Sequence, residues 1–383
     1  MFNKALSVAR TMTRAAYVEP FRNRDRTKTL LIGFAANLGY GCLSFMLNYN
    51  LAGYGLLASL SHQVMRPLFM GYLFVPLTFL FYTRVKSRVL LALLQIAAIG
   101  LFFIDTSNGT LNAFALAFVF SPFLAMHNYN YGKNTSRSNR GNEAALYAYS
   151  IIIAYSGGLF LGGLCLEQGW YNQAIVIGSL CTIAGSFFLY RPIAGRNNGA
   201  KVKSLLGWRK PSTRISFFSG LMNPLLETCM PAWMRMIGLP ALAAGISMSL
   251  RPIIGLFLTP FAGWLVQKKG FKAGQLGGTA LIVGWILVGV SSFLPWLLSF
   301  SLALLNTGKG LISPLEIGRW QRRRSSAAVI SREIAVATGR IPSNLLGVAI
   351  TFLAPALYPV LGLGFTGLFI WGSIPRRRKQ ARV

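Results

Sequence analysis

Acid, histidine and cysteine are all scarce in this chain, and each shortage excludes something. Its 383 residues hold 8 Asp and Glu, 2 His and 4 Cys against 38 Lys and Arg, for a formal net charge of +30. His62 and His127 alone cannot build a histidine-rich metal centre, so no metal site is expected. Cys42, Cys165, Cys181 and Cys229 fall in apolar stretches without paired spacing, which argues against a disulfide framework. The few acids supply no paired carboxylates, no Cys/His dyad stands out, and no G-x-x-x-x-G-K-[ST] loop occurs; neither an enzyme, nor direct ATP drive, nor a cofactor is expected. Charged residues make up only 12%, about half the share of an ordinary soluble domain, while 54% are hydrophobic and the mean hydropathy is +0.51. That composition belongs to a polytopic membrane protein.

Apolar runs recur at the length of a bilayer crossing, roughly 20 residues. Twelve spans are expected, near 29–50, 55–82, 88–105, 110–127, 143–165, 170–190, 215–236, 241–266, 274–294, 297–317, 328–350 and 354–373. Most of the basic residues lie in the segments between or beside these spans, in every second connection, starting with residues 1–28. The alternate connections, such as LAGY, DTSNG and LEQGWYN, carry almost none. The positive-inside rule then puts both termini in the cytoplasm, and the plasma (bacterial inner) membrane is the expected location. Scattered in this way, the charge forms no single basic face for nucleic acid; anionic lipid headgroups are its expected partners, and a monomer is expected. The N-terminal arm, with Arg10, Arg14 and Arg22, has no apolar core and reads as a cytoplasmic basic arm, not a signal peptide.

The longest basic link, 191–214, divides the spans six and six, giving an N-terminal bundle at 29–190, a C-terminal bundle at 215–373 and a basic tail at 374–383. The two halves echo one another. Arg66-Pro67 lies mid-span two and Arg251-Pro252 mid-span eight; Pro76 and Pro260 follow each pair, and a basic segment closes each span. Asn37 and Asn223, and Ser121-Pro122 and Ser313-Pro314, repeat the pattern, as expected of a duplicated transporter.

After span eight the chain reads Gly263-Trp264-Leu265-Val266-Gln267-Lys268-Lys269-Gly270-Phe271-Lys272. This resembles the G-x-L-x-D-R-x-G-R-K signature of the major facilitator superfamily, with Lys268 for Arg and Gln267 for the acid. The first-half copy has decayed to FLFYTRVKSR, without either glycine or the acid. Span five carries Gly158, Gly162 and Gly163, similar to that family's G-P-x-x-G-G signature with Leu159 in place of proline. The resemblance implies an all-α integral membrane fold of twelve helices in two pseudo-symmetric six-helix bundles, with alternating access about a central cavity. It implies a gating loop at Gly263, Gln267, Lys268, Gly270 and Lys272, and it tilts the direction toward efflux. Spans one, four, seven and ten would line the cavity. The glycines of span five would let a neighbouring helix approach closely.

Ionisable residues inside a membrane are costly and point to function. Those set deep are Arg66, Glu227, Arg251, Lys309 and Arg340, while Glu316, Arg332 and Glu333 lie nearer the cytoplasmic ends. Glu227, Lys309, Asn37 and Asn223 are the expected cavity residues, with Asn223 one turn before Glu227. Two roles stand for Glu227: a proton-coupling carboxylate tuned by burial and a neighbouring cation, or a static ion pair with Arg251 or Lys309. The excess of deep cations points to an anionic or carboxylate-bearing substrate, unless Arg66 and Arg251 bond carbonyls freed by their adjacent prolines. Glu333 and Arg340 share a helix face and suggest a structural network, and His62 and His127 read as interfacial. The function expected is proton-coupled secondary transport of a small solute. The alternatives are a non-transporting assembly or regulatory subunit on a degenerate transporter fold, or a lipid flippase.

Overall fold

A backbone in hydrocarbon finds no water to bond, so an apolar chain crosses as helices or as a closed barrel. The computed structural model takes the first course. Its described residues are 23–81, 87–134, 140–190, 206, 210–249, 251–291, 294, 296–321 and 325–373, and among them there is no strand. The basic arm before residue 23, most of the link 191–209 and the tail from 374 lie outside them.

The helices are α1 (Arg24–Gly53), α2 (Leu56–Pro67, continued by a π-helical segment Leu68–Phe74 and by Val75–Phe81), α3 (Ser87–Ile99, then Leu101–Ile104), α4 (Gly109–Asn134), α5 (Arg140–Glu167) and α6 (Tyr171–Phe188). The second half has α7a (Pro211–Glu227), α7b (Cys229–Met236), α8 (Ala241–Ser249), α9 (Arg251–Val290), α10 (Leu297–Gln321), α11 (Ser326–Leu353) and α12 (Tyr358–Ser373). α1, α2, α4, α5, α6 and α11 are each long and apolar enough to cross a membrane, and the chain is an integral multi-pass membrane protein.

Two boundaries differ from the sequence reading. α1 starts inside the expected arm, because Asn23 caps it by accepting from Arg26 N at 3.1 Å. Arg26 is then a buried member of the bundle, paired to Glu143 of α5 at 2.6 Å. The expected loop after span eight is helical backbone within the 40-residue α9. Gln, Lys and Phe sustain a helix and one glycine does not end it, so no loop interrupts 267–272. The side chains of Gly263, Gln267, Lys268, Gly270 and Lys272 lie outside the described residues.

Within the first half α1 packs on α4, α5 and α6, and within the second α7a packs on α11 and α12. Across the halves α5 meets α8 and α9, and α2 meets α11. Glycines set the closest approaches. A Cβ on Gly41 would strike the Tyr155 carbonyl of α5, and one on Gly158 would strike the Leu38 carbonyl of α1. Gly220 against Val336 and Gly339 against Phe217 repeat this between α7a and α11, about 180 residues on, as duplicated halves would. Gly162 meets Cys42 O and Gly163 meets Ala241 O of α8, so the span-five glycines seat both α1 and the opposite half.

Candidate functional site

Prolines inside helices remove a donor, and the carbonyl four residues earlier must find another. Pro122 frees Phe118 O, which accepts from Gln95 Nε2 of α3 at 3.4 Å, with Val119 O at 2.7 Å. Pro67 frees Gln63 O, which accepts from Asn344 Nδ2 of α11 at 2.5 Å. Pro231 frees Glu227 O, which accepts from Tyr155 OH of α5 at 3.4 Å. The helix breaks at that point: Thr228 separates α7a from α7b, and its carbonyl accepts from Gln63 Nε2 at 2.9 Å.

These caps belong to one buried polar network across the halves. Gln63 Nε2 also donates to Asn48 Oδ1 at 2.5 Å, Thr228 Oγ1 donates to Asn344 Oδ1 at 3.1 Å, and Tyr155 OH donates to Ser44 Oγ at 3.1 Å. Arg66 joins here. It is 1% exposed and donates from Nη1 to Ser44 Oγ at 3.4 Å, so an amide of α11, not this guanidinium, satisfies the carbonyl freed by Pro67.

Glu227 therefore sits at the end of a discontinuous helix, a recurrent position for binding groups in transporters. Its carboxylate faces a cavity of about 160 Å³ between the halves. Oε1 pairs with Lys309 Nζ of α10, and Oε2 lies 3.5 Å from Arg340 Nη2 of α11. Asn37, Asn223 and Asn306 line the same space. Helices α1, α2, α4, α5, α7a, α10 and α11 contribute its described walls.

A second charged group lines the cavity on the side where α1 begins, here called proximal. Arg332 holds Glu316 at 2.9 Å and Glu333 at 2.6 Å. Ser216 Oγ donates to Glu316 Oε1 at 3.1 Å, and Asn128 Nδ2 of the first half donates to Glu333 Oε1 at 3.2 Å. The distal ends are latched as well. Arg235 Nη1 donates to Tyr49 O at 2.8 Å, and Tyr49 OH donates to Leu239 O at 2.7 Å.

The structure thus brings Glu227, Lys309, Arg340, Asn37 and Asn223 into one cavity and places Arg66 outside its lining. The Arg251 side chain lies outside the described residues. Glu333 and Arg340 separate into two clusters rather than forming one network. At depth in the cavity two cations, Lys309 and Arg340, stand against Glu227, while nearer its proximal side Arg332 stands against Glu316 and Glu333. His62 and His127 are 0% and 1% exposed, buried within the protein by neighbouring helices: α1 at Gly33 lies against the His127 ring, and α4 at Gly109 lies against His62. Trp170, Trp296 and Trp371 are exposed near helix ends. Tyr155, Gln63 and Asn344 were not identified from sequence, although prolines four residues after Gln63 and Glu227 mark the carbonyls they serve.

No family model matches the sequence, and neither does any curated protein sequence. Solved structures do. The human organic anion transporter MFSD10 (TETRAN) superposes with a TM-score of 0.64 at 14% identity, over 92% of this chain and 99% of that one. A bacterial homologue of the iron transporter ferroportin, in an outward-facing state, gives 0.65 at 15% identity over 92% and 99%. A bacterial homologue of the human drug peptide transporters PepT1 and PepT2 gives 0.56 at 14% identity over 90% and 96%. Likeness at this identity is one of fold, and the chain has the major facilitator fold.

Proposed function

We propose that this protein is a secondary active transporter that moves a small, carboxylate-bearing solute by alternating access. In this reading the helices form two pseudo-symmetric bundles in the plasma (bacterial inner) membrane, with both termini cytoplasmic. Protons are the coupling ion and Glu227 carries them; the span-five glycines tilt the direction toward efflux. The observation that carries the proposal is Glu227 itself, set at a helix break, facing a cavity between the halves and held by cations from two other helices. An acid so placed can exchange its cation partners for a proton, and Lys309 and Arg340 are then released toward a substrate anion. The three similar solved structures are named as an organic anion transporter and as bacterial homologues of an iron transporter and of drug peptide transporters, which supports transport without choosing among solutes.

The test is proton flux in liposomes challenged with pooled organic anions, for wild type and Glu227→Gln. The expected result is a solute-dependent flux that falls by at least about 100-fold in the variant. Flux that persists in Glu227→Gln reduces Glu227 to a structural partner. No flux from folded wild-type protein removes the transporter reading in favour of a non-transporting subunit.

A further inference from the structure

The six charges among the described cavity residues are not mixed at random along the cavity. Glu227, Lys309 and Arg340 form the deep group, with one net positive charge; Glu316, Arg332 and Glu333 form the proximal group, with one net negative charge. The separation is built into two helices at once. On α10 Lys309 is followed by Glu316, and on α11 Glu333 is followed by Arg340; both intervals are seven residues, or about 10.5 Å along a helix. Because α10 and α11 run in opposite directions, both acids fall on the proximal side and both cations at depth.

An unmatched charge in a low-dielectric cavity is costly, and two of opposite sign attract one ligand that answers both. A monoanion would neutralise the deep group and leave the acids unanswered. A cation would do the reverse. Polar groups beside each cluster can orient the ends: Asn223 and Asn306 stand at the deep level, and Asn128 and Tyr147 at the proximal level. The cavity is smaller than the space a drug-sized ligand occupies, so the ligand is slender.

We propose that the cavity takes an extended dipolar solute, carboxylate toward Lys309 and Arg340 and ammonium toward Glu316 and Glu333, with its charges several bonds apart. This rests on the transporter reading above for the fate of the ligand, but not for its binding.

The experiment is calorimetric titration of the full chain in nanodiscs with ε-aminocaproate, caproate, hexylamine and β-alanine. ε-Aminocaproate is expected to bind at least about ten-fold more tightly than each of the other three. Glu333→Gln is expected to weaken ε-aminocaproate at least about five-fold and to leave caproate within about two-fold. Caproate or hexylamine binding as tightly as ε-aminocaproate overturns the proposal, and so does the absence of binding by every probe to folded protein. The wild-type ordering decides even where the variant fails to fold. Uptake into liposomes separates the two ideas. Preferential binding of ε-aminocaproate without uptake keeps the dipolar site and overturns transport, whereas uptake of caproate in preference keeps transport and overturns the dipolar site.

Discussion

Gln63 shows what a single uncharged residue can carry in a membrane. Its carbonyl is released by Pro67 and answered by Asn344, while its own amide answers Thr228 O and Asn48 Oδ1. Replacing it by Leu keeps the volume and orphans two acceptors from two other helices. Leaving one buried acceptor unmet costs about 1–3 kcal/mol, although membrane hydrogen bonds average nearer 0.6. Gln63→Leu should therefore lower the thermal midpoint of the detergent-solubilised protein, and Asn344→Leu should do likewise. The double variant should fall by less than the sum, because the two residues share one network. Unchanged midpoints would show that the network does not hold the halves. Sequence alone identified Glu227, Lys309 and Arg340, since a charge in an apolar run is conspicuous. It missed Gln63, Asn344 and Tyr155, since neutral polar side chains are common in spans and only their spatial neighbours give them a role. Burial of the two histidines was not legible for a related reason: neighbouring helices, not position along the span, enclose both residues.

Among elements, the packing of α1 on α5 and of α7a on α11 turns on small residues. Gly158 lies against the α1 backbone and Gly339 against the α7a backbone, so a methyl group at either would press on rigid main chain. Gly364 of α12 has nothing within 4 Å of a Cβ. Gly158→Ala and Gly339→Ala should each destabilise by about 1–3 kcal/mol through overpacking, whereas Gly364→Ala should be neutral or slightly stabilising. Thermal unfolding of the three variants checks the order, and equal midpoints would mean that the helices slide apart at no cost. The spans were legible because hydrophobic length and alternating charge are both one-dimensional signals. The course of α9 was not, because a basic segment marks a membrane surface without stopping a helix. Proline alone does not decide where a helix breaks: neighbours meet the freed carbonyls at both places, yet α7 parts at Thr228 while α4 runs through Pro122.

At the scale of the whole molecule, the two ends of the cavity are closed by different chemistry. The proximal end is crossed by the Asn128 to Glu333 hydrogen bond. The distal end is closed by Arg235, whose guanidinium donates to Tyr49 O and lies 5.1 Å from the Tyr49 ring. Rocking of the halves must break one set while keeping the other, and a latch matters in proportion to what it contributes in only one state. Arg235 contributes a charge-assisted bond and a cation–π contact, together about 2–3 kcal/mol, enough to shift a balanced equilibrium by about 30–150-fold. Arg235→Ala should thus populate a state open on the distal side. Spin labels at Tyr54 and Met236, both exposed, in a background with the four native cysteines replaced, would report it as a longer distance population that is minor in the parent. If transport is proton-coupled through Glu227, the same variant should also alter solute affinity, since the broken helix joining Glu227 to Arg235 is common to cavity and latch. A distance distribution unchanged by Arg235→Ala would place the energy of distal closure in the Gln63 network instead.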